Sequence, residues 1–196
     1  MKSIAFFDFD GTITTKDTLL EFIKFCKGKL NFYKGFLLNS PYLVAYKAGI
    51  ITNQRAKEKV LAYFFKNITV AAFSRLSDEF TQTVLPGLIR PKALEEIARL
   101  RQQGTEIVIV SASPENWIKP WATKMGVDLI ATNLVVEENK ITGIINGHNC
   151  YGEEKVNRIK QLYNLTSYKT IYVYGDSSGD RPMLALATQA FYKPFR

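Results

Sequence analysis

The sequence predicts an α/β protein in which helices cover both faces of a parallel sheet. Beyond residue 85, short apolar or β-branched runs alternate with helix-like segments, an order typical of parallel strands joined by helices. Residues 17–84 carry only helix signals, which predicts a helical insertion after one N-terminal strand. A length of 196 residues suits one domain with such an insertion.

The first strand is predicted at residues 4–7 by a short apolar run that ends at Asp8. Caps and breakers then divide the insertion, because Ser, Thr and Asp satisfy the free amides at a helix start while glycine ends a helix. Proline also suits the first helical position. These signals are a start at Asp17 or Thr18 with a stop at Gly28, Ser40 before Pro41, Thr52 before 54–66, and Thr69 before 70–84.

After Pro86, the pattern changes to alternating helices and strands. Residues 134–136 and 140–144 flank a polar turn, which predicts a hairpin. Proline and glycine mark the helix ends, and β-branched residues mark most strands. The other predicted strands are 106–110, 127–131, 170–174 and 190–192, and the predicted helices run from Pro91 to Gly104, from Ser113-Pro114 to Gly126, over 153–163 and over 180–187.

Composition and charge exclude several classes of protein. The two cysteines and the lack of a secretion-like N-terminal segment predict a reducing compartment, so we expect a cytoplasmic protein. No apolar run is long enough to span a bilayer. The net charge is +8, and most of the excess lies in residues 18–84. Such a segment can steer an anionic substrate or bind nucleic acid, although solvated helix faces explain it most simply.

Asp8 and Asp10 leave the end of the first strand together, because residues i and i+2 of a strand point to the same side. Gly11 then lets the chain turn sharply. Paired carboxylates are unfavourable unless a divalent cation or a shared proton offsets their charge. Both solutions serve chemistry on a phosphate ester, whereas the motif taken alone also fits two solvated aspartates before a turn.

Further polar groups are expected at the same edge of the sheet, where ligands bind to folds of this kind. Ser111 follows the second predicted strand of the sheet, and the free amides of a helix start behind it form an anion site. The loop at 175–180 adds the carboxylates of Asp176 and Asp180. Lys155 begins a helix and supplies a positive charge, although a lysine taken alone is more often a surface residue.

Together these motifs resemble the haloacid dehalogenase superfamily, and within it the phosphoserine-phosphatase-like branch, which carries a helical cap after its first motif. The resemblance rests on the 8–12 motif, Ser111, Lys155 and the 175–180 loop, and it covers essentially the whole chain. It implies a Rossmann-like core at 1–16 and 85–196 and an all-helical cap at 17–84. It also implies a phosphatase that acts on a small phosphorylated metabolite.

The resemblance implies Mg²⁺-dependent hydrolysis through an aspartyl-phosphate. Asp8 is then the nucleophile, and Asp10 is first the general acid and then the general base. The implied Mg²⁺ ligands are Asp8, the backbone carbonyl of Asp10, Asp176 and, through a water molecule, Asp180. The implied phosphate-binding residues are Gly11, Thr12, Ser111, Ala112 and Lys155.

The resemblance is less specific for the substrate. Phosphoserine phosphatases carry a glutamate where this chain has Asp17, and they use a cap arginine, for which Arg55 is the candidate. The loop after Asp176 reads Ser-Ser-Gly, which departs from their usual Gly, Ala and Asn. Phosphotransfer to a small alcohol remains an alternative, while the intact motif set argues against a nucleic-acid-binding module. A mechanism that needs two histidines is excluded, since His148 is the only one.

Overall fold

The computed structural model describes residues 2–196 and contains a five-stranded, fully parallel sheet. Its order is β3-β2-β1-β6-β7, with the first strand of the chain at the centre. A separate antiparallel hairpin is formed by β4 and β5. The strands are β1 Ser3–Phe7, β2 Glu106–Pro114, β3 Asp128–Thr132, β4 Leu134–Glu137, β5 Lys140–Ile145, β6 Thr170–Gly175 and β7 Gln189–Tyr192.

Seven α-helices accompany the strands in residues 2–196. They are α1 Thr18–Lys47, α2 Asn53–Phe65, α3 Val70–Thr83, α4 Pro91–Gln102, α5 Lys119–Met125, α6 Glu153–Leu162 and α7 Arg181–Leu184. The predicted caps Asp17, Thr52 and Thr69 each accept a backbone N–H with the side chain, which explains where α1, α2 and α3 begin. We call α1–α3 the cap. Within residues 2–196, no helix has the length and apolarity that crossing a membrane requires.

Helices cover both faces of the sheet, as the sequence predicts. Alternate residues of β1 point to opposite faces. Phe7 packs in one apolar cluster with Ile97 of α4, and Phe6 packs in the other with Ile159 of α6. This arrangement confirms the predicted α/β class with an open edge at the carboxyl ends of the strands.

The long cap helix α1 differs from its prediction in one respect. Gly28 does break it, with φ of 75° and ψ of 161°. The expected helix start at Ser40 and Pro41 is wrong, because Pro41 lies inside the second segment of α1. Proline cannot donate to the carbonyl four residues earlier. The Ser40 hydroxyl donates instead to that carbonyl, the oxygen of Leu37, at 2.7 Å, so the helix continues.

The second strand of the sheet is longer than predicted. It continues through Ser111 to Pro114, so the predicted helix start at Ser113-Pro114 is wrong. A short 3-10 helix follows at Glu115–Trp117, and α5 begins at Lys119. The Ser113 hydroxyl does not cap a helix, because it donates to the carboxylate of Asp10 at 2.7 Å. A tertiary contact thus overrides a local capping signal.

The β4–β5 hairpin packs against the cap rather than in the main sheet. The amide of Asn67 donates to the carbonyl of Ile141, and the amide of Ile141 donates to the carbonyl of Ile68, each at 2.9 Å. Gly143 lies directly against Ala62 of α2, where a Cβ atom would overlap the backbone. These contacts fix the cap over the carboxyl ends of the central strands.

Candidate active site

The carboxylate of Asp8 lies at the end of β1 in a nearly water-free position. Lys155 of α6 is itself buried and donates to Asp8 Oδ1 at 2.6 Å and to Asp180 Oδ1 at 2.7 Å. The turn after Asp8 passes through Gly11, whose φ is 82°. A Cβ at Gly11 would collide with the carboxylate of Asp176, so glycine is required for this approach.

Asp10 is held by four hydrogen bonds. Its Oδ1 accepts from the amide and the hydroxyl of Thr18, both at 2.6 Å. Its Oδ2 accepts from the hydroxyls of Ser113 at 2.7 Å and Ser111 at 3.3 Å. The indole N–H of Trp117 donates to the Thr18 hydroxyl at 3.0 Å, which orients the donor in turn. The cap, through Thr18, therefore positions a carboxylate of the sheet edge.

Three carboxylates converge at the site. In the described part of the chain, Asp8, Asp176 and Asp180 each offer an oxygen within 4.8 Å of the others. Burial raises the pKa of Asp8 to about 7, because the nearby Lys155 only partly offsets the loss of hydration. Burial also raises the pKa of Asp176, which pairs with Arg196. Burial opposes ionisation of Asp180 as well, but Lys155 outweighs it and lowers that pKa.

This cluster fits a hard divalent cation. Three carboxylates face the charges of Lys155 and Arg196, which leaves an excess of negative charge in a largely dehydrated place. Burial lowers the pKa of Lys155, but the charges of Asp8 and Asp180 outweigh burial and leave that pKa raised. Carboxylate oxygens are the ligands that Mg²⁺ prefers, so the residues present suit that ion.

A cavity of about 360 Å³ lies between the sheet edge and the cap. Its floor, at the sheet edge, is lined mostly by charged and polar residues, whereas its wall on the cap side is mostly apolar. The floor includes Asp8, Asp10, Ala112, Ser113, Lys155, Ser177 and Asp180, and the cap side includes Asp17, Leu19, Leu20, Phe36, Leu43, Tyr46, Asn53, Ala56, Lys57 and Val60. The structure therefore brings a charged reaction centre together with a mostly apolar compartment.

The predicted site residues take different places around this cavity. Ser111 is buried one step behind the floor, where its hydroxyl reaches Asp10. Thr12 is buried, and its hydroxyl has no hydrogen-bond partner in residues 2–196. Asp17 is exposed to solvent at the edge of the cavity that it lines. Partial desolvation of its carboxylate, followed by the charge of Asp10, raises its pKa to about 6.

The structure does not bring Arg55 into the cavity. Arg55 is exposed on the outer side of α2, beside Glu58 and Lys59. Lys57 lines the cavity instead, and its Nζ donates to the carbonyl of Ala112 at 2.7 Å. Burial lowers the pKa of the Lys57 ammonium. Residues two apart on a helix point about 200° apart, so only one of the two cations faces inward.

Sequence reasoning missed Thr18, Ser113 and Lys57 as site residues. Thr18 and Ser113 carry hydroxyls next to predicted motifs, and their positions were explained as helix starts. The spacing of Ser111 and Ser113 on one strand is the signal that was available, since residues i and i+2 face the same side. Nothing local distinguishes Lys57 from Arg55.

Comparison with known proteins places this fold and site in one family. A family model described as haloacid dehalogenase-like hydrolase matches residues 5–185. Protein CicA of Caulobacter vibrioides is 37% identical over 194 residues, covering 97% of this chain and 85% of that protein. A probable phosphatase of Mycobacterium tuberculosis is 32% identical over 191 residues, covering 93% and 66%. The chain belongs to the haloacid dehalogenase-like hydrolase family.

Among solved structures, a substrate-bound phosphoserine phosphatase superposes with a TM-score of 0.71 at 17% identity. The match covers 98% of this chain and 86% of that one. The chain therefore shares its fold with phosphoserine phosphatase. The family model confirms the resemblance to the haloacid dehalogenase superfamily that the motifs indicate.

Proposed function

We propose that this hydrolase cleaves phosphomonoesters through an aspartyl-phosphate on Asp8, with Mg²⁺ as cofactor. The observation that carries the proposal is the convergence of Asp8, Asp10, Lys155 and Asp180 on one cavity at the sheet edge. The carboxylate of Asp8 accepts no hydrogen bond from a hydroxyl, which suits a nucleophile. The carboxylate of Asp10 is held by four donors, which suits a group that transfers a proton.

The proposed reaction has two balanced steps. An oxygen of Asp8 bonds to phosphorus while the phosphorus–alcohol bond breaks, and Asp10 gives a proton to the departing oxygen. A water oxygen then bonds to phosphorus while the bond to Asp8 breaks, and Asp10 takes the water proton. Lys155 and the Ala112 amide offset the charge on the phosphoryl oxygens during both steps.

The proposed Mg²⁺ would be held by Asp8, Asp176, the backbone carbonyl of Asp10 and, through a water molecule, Asp180. The bound ion would offset the negative charge of the carboxylates and the phosphoryl group. The proposed phosphate site also includes Gly11, Thr12 and Ser111. The free thiols of Cys26 and Cys150 suit a reducing compartment, and we place the enzyme in the cytoplasm.

The proposed substrate is a small phosphorylated metabolite, and a phosphoserine-like ester is one member of that class. Asp17 lines the cavity, which supports a role in binding an ammonium group of the substrate, and Lys57 is a cap cation inside the same cavity. Arg55 plays no part in this proposal, because it lies outside.

A panel of phosphomonoesters with Mg²⁺ tests the proposal. It includes p-nitrophenyl phosphate, phosphoserine, sugar phosphates and nucleotides, and it measures inorganic phosphate so that hydrolysis is separated from transfer to an added alcohol. Asp8→Asn is the blank, and exposed Asp78→Asn is the matched carboxylate control. Equal turnover by wild type and Asp8→Asn would refute the assignment.

A further inference from the structure

The second segment of α1, residues 29–47, is apolar on its outer face as well as its inner face. Leu30, Leu37 and Val44 recur every seven residues and remain 88%, 74% and 64% exposed. Tyr33 and Leu38 extend the same surface. A helix that is apolar all round is normally buried, and a contiguous exposed apolar patch marks an interaction surface. We call these five residues the outer cap face.

The charge around the outer cap face has one sign. Residues 22–57 contain seven Lys or Arg and no Asp or Glu. Three of the lysines, Lys29, Lys34 and Lys47, are exposed on the segment itself, and none of them takes part in the ion pairs of residues 2–196. Apolar side chains bordered by lysines match a lipid surface that carries negative headgroups.

A second copy of the chain fits this surface poorly. A two-fold contact would bring the same face of both molecules together. Lysines would then oppose lysines, and no acidic residue in 22–57 is present to compensate them. The charge pattern therefore selects an anionic bilayer surface over self-association.

The inner face of the same segment is continuous with the active-site cavity. Phe36, Leu43 and Tyr46 line the cavity wall, while Leu37 and Val44 beside them in sequence point outward. One helix layer therefore separates the outer cap face from the compartment that holds the alcohol of the ester. A hydrocarbon chain in that compartment would contact apolar side chains, whereas a small polar alcohol would make no favourable contact with most of the wall.

We propose that the outer cap face docks on an anionic lipid bilayer and that the cavity beneath it accepts a phosphomonoester with an apolar, lipid-type alcohol. The substrate part of this inference rests on the proposed phosphatase function. The docking part does not depend on that function. Docking places residues 29–47 on the headgroup layer without crossing it, and the polar floor stays on the water side.

Sedimentation with sucrose-loaded vesicles tests the docking surface on the full chain. The wild type should bind vesicles of equal parts phosphatidylcholine and phosphatidylglycerol, bind phosphatidylcholine alone weakly, and detach as salt is raised. Leu30→Gln combined with Leu37→Gln and Val44→Gln should weaken binding at least about tenfold, because three exposed apolar anchors are lost.

Leu162→Gln combined with Val136→Gln is the matched control, since both side chains are exposed apolar residues outside the outer cap face. The control should bind as the wild type does, and circular dichroism should show the same fold in all three proteins. If the wild type binds neither kind of vesicle, the inference is overturned. A wild-type dimer in solution that the triple variant converts to monomer also overturns it, because the face would then be a self-association surface.

The substrate is tested with phosphatidic acid in the same vesicles against glycerol 3-phosphate in solution. The lipid should be cleaved with kcat/KM at least about tenfold higher, because burial of each methylene in the cavity favours it. Equal values for the two esters overturn the substrate inference. Hydrolysis of p-nitrophenyl phosphate without vesicle binding leaves the proposed function intact, whereas vesicle binding without hydrolysis of any ester refutes the proposed function alone.

Discussion

Asp8 and Asp10 are two residues apart, yet their surroundings differ in kind. Asp8 contacts a buried ammonium, and Asp10 contacts four neutral donors. Removing each carboxylate should therefore have a different effect. With p-nitrophenyl phosphate, Asp8→Asn should form no phosphoenzyme, because the nucleophile is absent.

Asp10→Asn should still form the phosphoenzyme from this ester, since the leaving group needs little protonation. It should hydrolyse the phosphoenzyme about 10²–10⁴-fold more slowly, the range for losing a general base. Rapid-quench trapping followed by hydroxylamine treatment measures both steps. A hydroxylamine-sensitive phosphoprotein in Asp8→Asn would show that another group is the nucleophile.

Asp8 also predicts how stability depends on pH in the metal-free protein. Burial raises its pKa from 3.8 to about 7, so the folded state holds this proton more tightly than the unfolded state does. The contribution of Asp8 to the free energy of unfolding is fully present below pH 3.8 and is lost as pH rises through about 7. Asp8→Asn should therefore gain stability over the wild type across this window, by up to about 4 kcal/mol. Urea unfolding in EDTA measures it, and a pH-independent difference would contradict it.

Asp17 and Arg55 allow a test of which cap residues face the substrate. Asp17→Asn should lower kcat/KM for an amine-bearing ester by a factor that corresponds to about 1–3 kcal/mol, the range for a hydrogen bond to a charged group. It should spare p-nitrophenyl phosphate. Arg55→Ala is the control and should change neither, because Arg55 lies outside the cavity. Equal losses of kcat/KM for both esters would show that Asp17 stabilises the fold and does not contact the substrate amine.

At the scale of single elements, the contact between the hairpin and α2 depends on a glycine. Gly143 and Gly147 both have φ near 80°, at 82° and 76°, but only Gly143 faces another backbone. Gly147→Ala should cost about 1–2 kcal/mol from its left-handed conformation. Gly143→Ala should cost about 1–3 kcal/mol more, because its Cβ would overlap Ala62. Urea unfolding of both variants measures the difference, and equal losses would show that the hairpin shifts freely.

Local signals predicted elements well, and tertiary contacts decided the exceptions. Thr52 and Thr69 cap helices as expected because a cap involves only residues within one turn. Ser113 carries the same kind of signal, yet its hydroxyl bonds a carboxylate that is distant in sequence. Pro41 remains inside a helix because Ser40 satisfies the carbonyl that proline leaves free.

Across the whole molecule, the proposed Mg²⁺ site takes its carboxylates from two distant parts of the chain, Asp8 and the 176–180 loop. Chelation should abolish turnover, and Mg²⁺ should restore it while Ca²⁺ restores it poorly, because Ca²⁺ coordinates more loosely. Mg²⁺ should also raise the Tm of the stripped protein, since it binds the folded state. Asp176→Asn should reduce that rise, and Asp78→Asn should leave it unchanged. Full activity after metal removal would contradict the proposal.

The parallel sheet and the position of the motifs at its edge were predictable, because parallel strands direct their carboxyl ends to one side. The choice between Arg55 and Lys57 was not, since it depends on how α2 rotates against the sheet. The exposure of the outer cap face could not be predicted either, because the sequence of an apolar helix predicts burial and does not show which of its faces lacks a partner.

The hydrogen bonds between Asn67, Ile68 and Ile141 attach the cap to the β4–β5 hairpin, in addition to the two chain crossings that join α1–α3 to the sheet. With these attachments, the cap does not rotate away from the sheet as one rigid body. Entry to the compartment below it then requires local movement of residues 29–47 about Gly28, where the helix is already interrupted. We expect the amplitude of that bend, rather than the volume of the compartment, to limit the size of the molecules that the enzyme admits.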